Sequence, residues 1–286
     1  MRANMLNVVA DALGMNTAVP ALTTYDFTTA QAVVAASEAA DRPVILLVPP
    51  KAASGMQGLR FVRALRGLAD DASTPVCVQL DHATDLQLVR AAVDAGADAV
   101  LADGSALPHD QNAEFVRQAR AVVGPGIVLE AELGDLPGDE DIAHASAASG
   151  MTDPDTVPDF LEQSAADLLA VAVGNVHGHY AGAPKLDWDR IAKICVRAGD
   201  TPLVLHGASG IPQSSLEQAG AAGIGKINMN TELRSALFTT LAGSLDSRRA
   251  QGLNVLALLQ DWTSTVEHVT ASMHAVTTAR RDSVTG

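Results

Sequence analysis

Residues 76–96, VCVQLDHATDLQLVRAAVDAG, contain the pattern that decides the fold. The run from Val76 to Leu80 is apolar and short, as is typical of a buried parallel strand. The segment 85–96 then carries apolar residues at helical spacing, which predicts an amphipathic helix. Two ionisable residues, Asp81 and His82, stand where the predicted strand ends. The unit is therefore a strand, a polar strand end and a helix.

This unit recurs along the chain of 286 residues. The apolar runs predicted as strands are NTAVPALTT (16–24), PVILLV (43–48), PVCVQL (75–80), DAVLAD (98–103), GIVLEAEL (126–133), DLLAVAVG (167–174), TPLVLHG (201–207) and GIGKINM (223–229). Amphipathic stretches lie between most of them, so the sequence predicts an α/β fold, a (β/α)8 TIM barrel. An open doubly wound sheet is the rival, but no GxGxxG follows the first strand.

The domain organisation is predicted to be simple. We interpret residues 1–286 as a single barrel domain in which residues 245–286 form a C-terminal helical extension. The apolar helical pattern of that tail suits packing on the barrel or on a neighbouring subunit. It therefore also predicts a homo-oligomer, a dimer or a tetramer.

Composition and charge narrow the class of protein. Acidic residues outnumber basic ones by 33 to 19, for a net charge of −14, which argues against a nucleic-acid partner. The two cysteines, Cys77 and Cys195, have no CxxC spacing, so we expect no disulfide and a reducing compartment. No run of about 18 apolar residues occurs, and the N-terminus lacks a signal-peptide core. We expect a soluble, cytoplasmic protein without membrane contact.

Three histidines stand at predicted strand ends. His82, His177 and His206 follow the third, sixth and seventh strands, and active sites of this fold lie at the carboxyl ends of the strands. Three histidine ligands leave one position open, as in a catalytic zinc site. Any one of them alone is more often a structural histidine, but three at equivalent strand ends favour a metal. His179, His109, His144, His268 and His274 have loop or helix contexts and are predicted to have no such role.

A phosphate site is predicted beside these strand ends. HGASG (206–210) follows the seventh strand and NMNTELR (228–234) follows the eighth, with Asn230 or Thr231 as a predicted helix N-cap. Backbone N–H groups at a helix N-terminus hold an oxyanion with little help from basic side chains, which reconciles an acidic protein with an anionic ligand. Either loop alone is equally well explained as turn glycines and a helix cap.

An acidic loop follows the fifth strand. In LEAELGDLPGDEDIA (129–143), two strand carboxylates, Glu130 and Glu132, run into a segment containing Gly and Pro. A carboxylate on such a loop, Glu140 for example, could act as a base when the loop closes over a substrate. The alternative is a solvated surface loop.

Five ordered motifs carry a resemblance to a known family. They are LDHATD (80–85), LEAELGDLPGDED (129–141), AVAVGNVHGHYAGAPKLDWDRI (170–191), LVLHGASGIP (203–212) and KINMNTELR (226–234). Together, over about residues 5 to 240, they resemble the class II, zinc-dependent fructose-bisphosphate and tagatose-bisphosphate aldolases. The resemblance implies a carbohydrate-metabolism lyase, such as one of glycolysis, that reversibly cleaves a ketose phosphate to dihydroxyacetone phosphate and an aldehyde through a metal-stabilised enediolate.

The resemblance also assigns roles to positions. It implies that Asp81 moves the proton of the substrate C4 hydroxyl, that Glu140 exchanges the proton at C3 of dihydroxyacetone phosphate, and that Asn228 helps to hold the enediolate. The implied zinc ligands are His82, His177 and His206, with Glu132 near an alternative metal position. The implied phosphate-binding residues are Gly178, Gly207, Ser209, Asn230 and Thr231. The family often has a monovalent cation, Na⁺ or K⁺, beside that phosphate.

The chain departs from the family pattern on one side of the expected substrate. The positions that differ from the usual Asn, Gln, Ser, Lys and Arg are Thr23, Leu47, Pro49, Ala181 and, by a weak alignment, Thr263. Charge-assisted hydrogen bonds contribute about 1.5–3 kcal/mol each, so a phosphate clamp without such donors should lose most of its affinity. We hypothesise that the dihydroxyacetone phosphate half is kept and that the acceptor aldehyde differs, with a terminal phosphate no longer required.

Several alternatives remain open. Lys51, Arg280 or Arg281 could rebuild the second anion site, which would give a standard fructose- or tagatose-1,6-bisphosphate aldolase. A Schiff-base mechanism would need a lysine, for which Lys226 is the best placed. A non-catalytic sugar-phosphate-binding paralogue would not need both Asp81 and Glu140. A metal-dependent hydrolase would be expected to have an HxH at an early strand, which NTAVPALTTYDF (16–27) lacks.

Overall fold

Eight parallel strands close into a barrel in the computed structural model, which describes residues 3–136, 145–146 and 150–278. Each strand pairs with its neighbours in the chain, and the first strand pairs with the last. The strands are β1 (Val19–Thr23), β2 (Val44–Val48), β3 (Val76–Ala83), β4 (Ala99–Ala102), β5 (Val128–Leu133), β6 (Leu168–Val171), β7 (Leu203–Leu205) and β8 (Ile224–Met229). The predicted TIM barrel is confirmed. Seven of the predicted strands contain one barrel strand each, and the remaining one, residues 75–80, overlaps β3, which continues to Ala83.

Helices surround the barrel. They are α1 (Met5–Gly14), α2 (Phe27–Ala40), α3 (Pro50–Ala53), α4 (Gly55–Asp71), α5 (Leu86–Ala95), α6 (His109–Val123), α7 (Val157–Ser164), α8 (Trp188–Ala198), α9 (Gln213–Ala219), α10 (Thr231–Ala250) and α11 (Val255–Thr277). In the unit that decided the fold, the Asp85 side chain accepts a hydrogen bond from the Gln87 N–H at the start of α5. Gly96 ends that helix at φ 115°, a left-handed conformation that favours glycine.

Alternating strand residues divide the core in two. In β3, Val76, Val78 and Leu80 pack outwards against the helices, whereas Cys77 belongs to a cluster inside the barrel. Met5 and Val9 of α1 join that inner cluster, so α1 packs over the amino-terminal end of the barrel. Because α1 covers the amino-terminal end, a ligand-binding site is expected at the carboxyl-terminal end of the barrel.

The C-terminal helices pack on the outside of the barrel. The indole Nε1 of Trp262, in α11, donates to Thr29 Oγ1 at 2.9 Å, and the Ala18 N–H donates to the Thr277 carbonyl at 3.1 Å. Residue 245, predicted to begin the extension, lies inside α10, because one helix runs on from the end of β8. The division into domains stays a prediction. Among the described residues, no helix has the length and apolar character needed to cross a membrane.

A second, very small sheet lies outside the barrel. Ala145–Ser146 pairs in parallel with His179–Tyr180, with Ala145 opposite His179. This pairing ties the segment that follows the acidic loop to the segment that follows His177. Glu140, the loop carboxylate singled out from the sequence, lies outside the described residues.

Candidate active site

The three strand-end histidines meet at the carboxyl end of the barrel. The ring of His82 lies with its centroid 5.1 Å from that of His177 and 5.0 Å from that of His206, and the last two rings are 5.8 Å apart. Glu132, from β5, completes the group, and one potential ligand atom from each of the four residues lies within 4.8 Å of the others. The four predicted ligand residues therefore form one cluster that could hold a metal ion.

The backbone at His82 is unusual. Its φ is 45°, in the left-handed region that non-glycine residues rarely adopt, and the β3–β4 register shifts between Leu80 and Ala83. His82 Nδ1 lies 2.8 Å from Asp103 Oδ2, which makes Nε2 the candidate metal ligand. Burial opposes ionisation of Asp103, but its contact with His82 outweighs that effect and lowers its pKa below the usual range.

Asp103 was not singled out from the sequence. Its Oδ1 also accepts hydrogen bonds from Ser105, from the backbone N–H at 3.0 Å and from Oγ at 2.6 Å, so the carboxylate is held on both sides. The sequence did carry a signal for it: Asp103 is the last residue of the predicted strand DAVLAD, and Asp81 likewise stands at a strand end, directly after PVCVQL. We infer that Asp103 orients the His82 ring.

His206 is fully buried between two carboxylates. Its Nε2 lies 2.8 Å from Glu130 Oε1, and its Nδ1 lies 3.1 Å from Glu132 Oε2. Burial disfavours the charged ring, but Glu130 and Glu132 outweigh burial and raise the pKa of His206 to about 9. The His206 Nδ1 and Glu132 Oε2 atoms are buried and do not meet the geometry of a hydrogen bond within the described residues. Such atoms are what a metal ligand pair would leave in the protein alone.

Close backbone packing holds the segment of His177 against β7. Asn175 Nδ2 donates to the His206 carbonyl at 3.0 Å, and Tyr180 Oη donates to the Gly207 carbonyl at 2.9 Å. Gly207 has a φ of 60°, and a Cβ built on it would lie 1.9 Å from the Val176 carbonyl oxygen. Glycine is therefore required at position 207, where the segments that carry His206 and His177 pack against each other.

Asp81 and Asn228 face the same space. Both side chains are buried, and the inward alternation of β3 and β8 places them above Gln79 and Lys226 respectively. The two amide atoms of Asn228 make no hydrogen bond to any residue that the structure describes. A buried amide without a protein partner is suited to bind a polar ligand.

The predicted phosphate-binding residues lie around the N-terminus of α10. Asn230 occupies the N-cap position of α10, as predicted for residue 230 or 231. Its side chain, however, makes no capping hydrogen bond. Ser209 Oγ accepts from the Glu232 N–H at 3.1 Å, and Asn230 Nδ2 donates to Tyr25 Oη at 3.1 Å. The structure thus brings Ser209, Asn230 and Thr231 together, with Gly207 two residues from Ser209. Gly178 follows His177, at a φ of 83°.

Lys226 has a different role from that of the Schiff-base alternative. Its side chain is fully buried, and its Nζ lies 2.8 Å from Glu130 Oε2. A Schiff-base lysine must be neutral and must reach the substrate carbonyl, whereas this ammonium is held in an ion pair inside the barrel. Burial opposes ionisation of Glu130, but Lys226 and His206 overcome it and lower the pKa of Glu130 to about 2.

Two of the altered acceptor-side positions are direct neighbours. Thr23 pairs with Leu47 in the β1–β2 register, and Leu47 pairs in turn with Gln79 of β3. Leu47 belongs to the cluster inside the barrel, and Thr23 Oγ1 is buried without a hydrogen-bond partner among the described residues. Leu47 therefore places an apolar side chain between two buried polar residues, Thr23 and Gln79, in this part of the barrel interior.

The remaining acceptor-side positions lie elsewhere. Pro49 is buried at the start of the short helix α3, Ala181 is exposed, and Thr263 is half-buried in α11. The basic residue Lys51 is exposed on α3. Arg280 and Arg281 lie outside the described residues. The rescue of a second anion site by any of these three basic residues stays a hypothesis.

Comparison with known proteins decides the family. The family model described as "Fructose-bisphosphate aldolase class-II" matches residues 3–282. The chain belongs to the class-II fructose-bisphosphate aldolase family. It is therefore a metal-dependent aldolase, and the resemblance drawn from its five motifs is confirmed.

Individual relatives agree with this assignment. Fructose-bisphosphate aldolase from Geobacillus stearothermophilus is 38% identical over 206 residues, which is 71% of each chain. The aldolase of the same name from Staphylococcus epidermidis is 37% identical over 215 residues, 74% of each chain. The matches support the class II aldolase chemistry more directly than they support any one substrate.

Solved structures extend the likeness over nearly the whole chain. The crystal structure of the YdjI aldolase from Escherichia coli K12 superposes with a TM-score of 0.86 at 27% identity, covering 97% of both chains. Fructose-bisphosphate aldolase from Campylobacter jejuni superposes with a TM-score of 0.78 at 18% identity, covering 95% of this chain and 93% of that one. At that lower identity the likeness shows the fold alone.

Proposed function

We propose that this class II aldolase uses zinc to cleave a ketose 1-phosphate or ketose 1,6-bisphosphate reversibly into dihydroxyacetone phosphate and an aldehyde. The observation that carries the proposal is the cluster of His82, His177, His206 and Glu132 beside the inward-facing Asp81. Neutral imidazole nitrogens with one nearby carboxylate form a donor set that suits zinc. The buried His206 Nδ1 and Glu132 Oε2 atoms fit the same interpretation.

The residues divide into metal-holding and proton-moving groups. The three histidines would hold the ion, and Glu132 would bind it in a second position. When bound, zinc acts as a Lewis acid that stabilises negative charge on the ketone and hydroxyl oxygens of the substrate. Asp81 is proposed to move the C4 hydroxyl proton as the C3–C4 bond breaks or forms. Glu140 is proposed as the base for the C3 proton, and Asn228 as the hydrogen-bond partner of the enediolate oxygens.

The phosphate of the dihydroxyacetone half is proposed to bind at the N-terminus of α10. Ser209, Asn230, Thr231 and the glycines Gly178 and Gly207 offer backbone N–H groups and small polar side chains there. The partial positive charge of a helix N-terminus favours an anion, and Arg234, whose Nη2 donates to Thr231 Oγ1 at 3.3 Å, adds a positive charge beside it. A monovalent cation, Na⁺ or K⁺, beside this phosphate stays a prediction.

The acceptor side supports a substrate without a second phosphate. Leu47 faces the barrel interior next to Thr23, so hydrocarbon stands where the family commonly has hydrogen-bond donors. A phosphate dianion binds poorly beside such a surface, because removing it from water is not repaid by hydrogen bonds. The standard fructose- or tagatose-bisphosphate aldolase is the competing proposal, and a non-catalytic sugar-phosphate-binding paralogue is now disfavoured by the family assignment.

Metal analysis combined with one substitution tests the central proposal. We expect the purified protein to contain about one zinc ion per chain, and His206→Ala to lose both the zinc and the retro-aldol activity. Asp81→Ala should keep the zinc and lose the activity, because Asp81 is not one of the proposed ligands. Absence of zinc in the native protein, or full activity without His206, would remove the proposal.

A substrate comparison tests the acceptor side. We expect kcat/KM for fructose 1-phosphate to equal or exceed that for fructose 1,6-bisphosphate. Thr23→Asn combined with Pro49→Ser, which introduces family-like donors, should raise kcat/KM for the bisphosphate and leave that for the monophosphate nearly constant. A strong preference of the native enzyme for the bisphosphate would favour the standard aldolase.

Assembly and location also remain proposals. Large apolar residues are exposed on the C-terminal helices and in the turn between them, which supports a homo-oligomer, a dimer or a tetramer. They are Phe238 of α10, Leu253 of the turn, and Val255 and Leu256 of α11. A cytoplasmic location agrees with two free cysteines in the described chain.

A further inference from the structure

A line of buried polar side chains runs from the metal-binding cluster into the barrel interior. His206 Nε2 lies 2.8 Å from Glu130 Oε1, and Glu130 Oε2 lies 2.8 Å from both Lys226 Nζ and Gln79 Nε2. Glu130, Lys226 and Gln79 lie on β5, β8 and β3, His206 directly follows β7, and all four side chains are fully buried. Lys226 is thus connected to a proposed metal ligand through one carboxylate.

The donors and acceptors available in this line determine the direction of each hydrogen bond. Lys226 offers only donors, so the Glu130 oxygen that contacts it accepts, and the ionised carboxylate has no proton to give to His206. His206 Nε2 must then be the donor to Glu130 Oε1. A neutral imidazole with its proton on Nε2 has its lone pair on Nδ1, the atom that lies 3.1 Å from Glu132 Oε2. The Lys226–Glu130 pair therefore selects the ring nitrogen that faces the metal cluster.

We propose that Lys226 is a positioning residue of the metal centre, which holds Glu130 so that Glu130 orients His206 with Nδ1 towards the metal. This inference rests on the proposed zinc site and assigns a function to a lysine that the aldol chemistry does not use. Partners behind a ligating histidine typically change metal affinity by about 10–100-fold when they are removed. Lys226 lies one residue further from the metal and acts through the charge of Glu130.

The competing explanation is a purely structural ion pair. A buried pair can contribute little net stability, whereas removal of one partner costs about 3–5 kcal/mol because an uncompensated charge stays buried. Loss of folding stability in a Lys226 variant is therefore expected under both explanations and does not separate them. The readout must be the metal itself, in folded protein.

Zinc affinity measured by competition with a chromophoric chelator provides that readout. Lys226→Met is expected to weaken zinc binding at least about tenfold and to alter the visible absorption spectrum of the cobalt-substituted protein. Lys226→Gln, which keeps a donor without the charge, should fold more readily and show a smaller loss in the same direction. Gln79→Leu leaves the Lys226–Glu130 pair in place and should have the smallest effect.

Arg66→Met is the matched control. Arg66 is buried and forms an ion pair with Asp98, well away from the histidines, so this variant should lose stability to a similar degree and keep its zinc affinity. In a double-mutant cycle, Glu130→Gln with Lys226→Met should weaken zinc binding no more than Glu130→Gln alone, because Lys226 acts through Glu130. The inference would be overturned by additive losses of zinc affinity in the double mutant or by an equal loss of zinc affinity in Arg66→Met. Native zinc affinity in both Lys226 variants would overturn it as well.

The outcomes also separate this inference from the proposed function. If the native protein fails to bind zinc, the proposed function itself is refuted. If the native protein binds zinc and His206→Ala does not, while Lys226→Met binds it with native affinity and spectrum, only the positioning role of Lys226 is refuted.

Discussion

Gly207→Ala should damage the metal site through the backbone. Gly207 follows His206, a proposed zinc ligand, and its missing Cβ would stand 1.9 Å from the Val176 carbonyl oxygen and 3.3 Å from the His177 nitrogen. An alanine there must push apart the two chain segments that carry His206 and His177. The Asn175 and Tyr180 hydrogen bonds hold those segments together, so they cannot separate without loss.

The expected cost has two parts. Placing a non-glycine residue in the left-handed region costs about 1–2 kcal/mol, and forcing an extra methyl group into a packed region costs about 1–3 kcal/mol. The free energy of unfolding should therefore fall by about 2–5 kcal/mol. Zinc affinity should fall as well, because a metal site tolerates displacements of only about 0.5 Å in its ligands.

Gly210→Ala provides the comparison. Gly210 lies in the same loop with a φ of 86°, but its Cβ would meet only the Tyr180 ring, at 3.8 Å. This variant should lose only the backbone part, about 1–2 kcal/mol, and should keep its zinc. Urea denaturation and zinc titration of both variants check the reasoning. Equal losses of stability and of zinc affinity in the two variants would show that the contact with Val176 is not the cause.

Three further outcomes are expected. Burial lowers the pKa of His274 to about 4 from 6.5. The neutral ring therefore contributes its full stabilisation above pH 6.5, and this contribution is lost as the pH falls towards 4. From pH 7 to pH 5, the native protein should lose about 2 kcal/mol more stability than His274→Gln in urea titrations. Asp98→Asn leaves the buried Arg66 without its carboxylate and should cost about 3 kcal/mol in the same assay, with zinc content unchanged. Leu253→Glu combined with Leu256→Glu should reduce the mass measured by light scattering, if exposed Leu253, in the turn between α10 and α11, and exposed Leu256 of α11 form the interface. An unchanged mass would place the interface elsewhere.

The fold could be predicted because the signals that specify it are local. The barrel strands are short, mostly apolar runs of three to eight residues, and each is followed by a helical pattern, so the eight units could be recognised one at a time. Barrel closure then brings the strand ends together, which is why His82, His177 and His206 could be grouped from sequence. The position of α1 over the barrel end could not be predicted, because it depends on the small residue Gly225 beside Val9.

The residues that contact the proposed ligands were harder to predict than the histidine cluster itself. Asp103 and Glu130 are acids on strands, but their roles depend on which side chain each meets across the barrel. The Glu130 carboxylate contacts residues from three other strands, and nothing in the local sequence indicates that Lys226 is among them. The pairing of Ala145–Ser146 with His179–Tyr180 is equally non-local, since 34 residues separate Ala145 from His179.

The charge distribution explains how an acidic protein can serve an anionic substrate. The carboxyl end of the barrel carries Asp81, Asp103, Glu130 and Glu132, which would repel a sugar phosphate if they were left uncompensated. Lys226 neutralises Glu130 from below, and a divalent cation on the histidines would offset Glu132 and Asp103 from above. The phosphate itself is proposed to bind at the N-terminus of α10, away from these acids. Removal of zinc should therefore weaken substrate binding as well as turnover, whereas loss of the α10 contacts, for example in Ser209→Ala, should weaken binding with zinc retained.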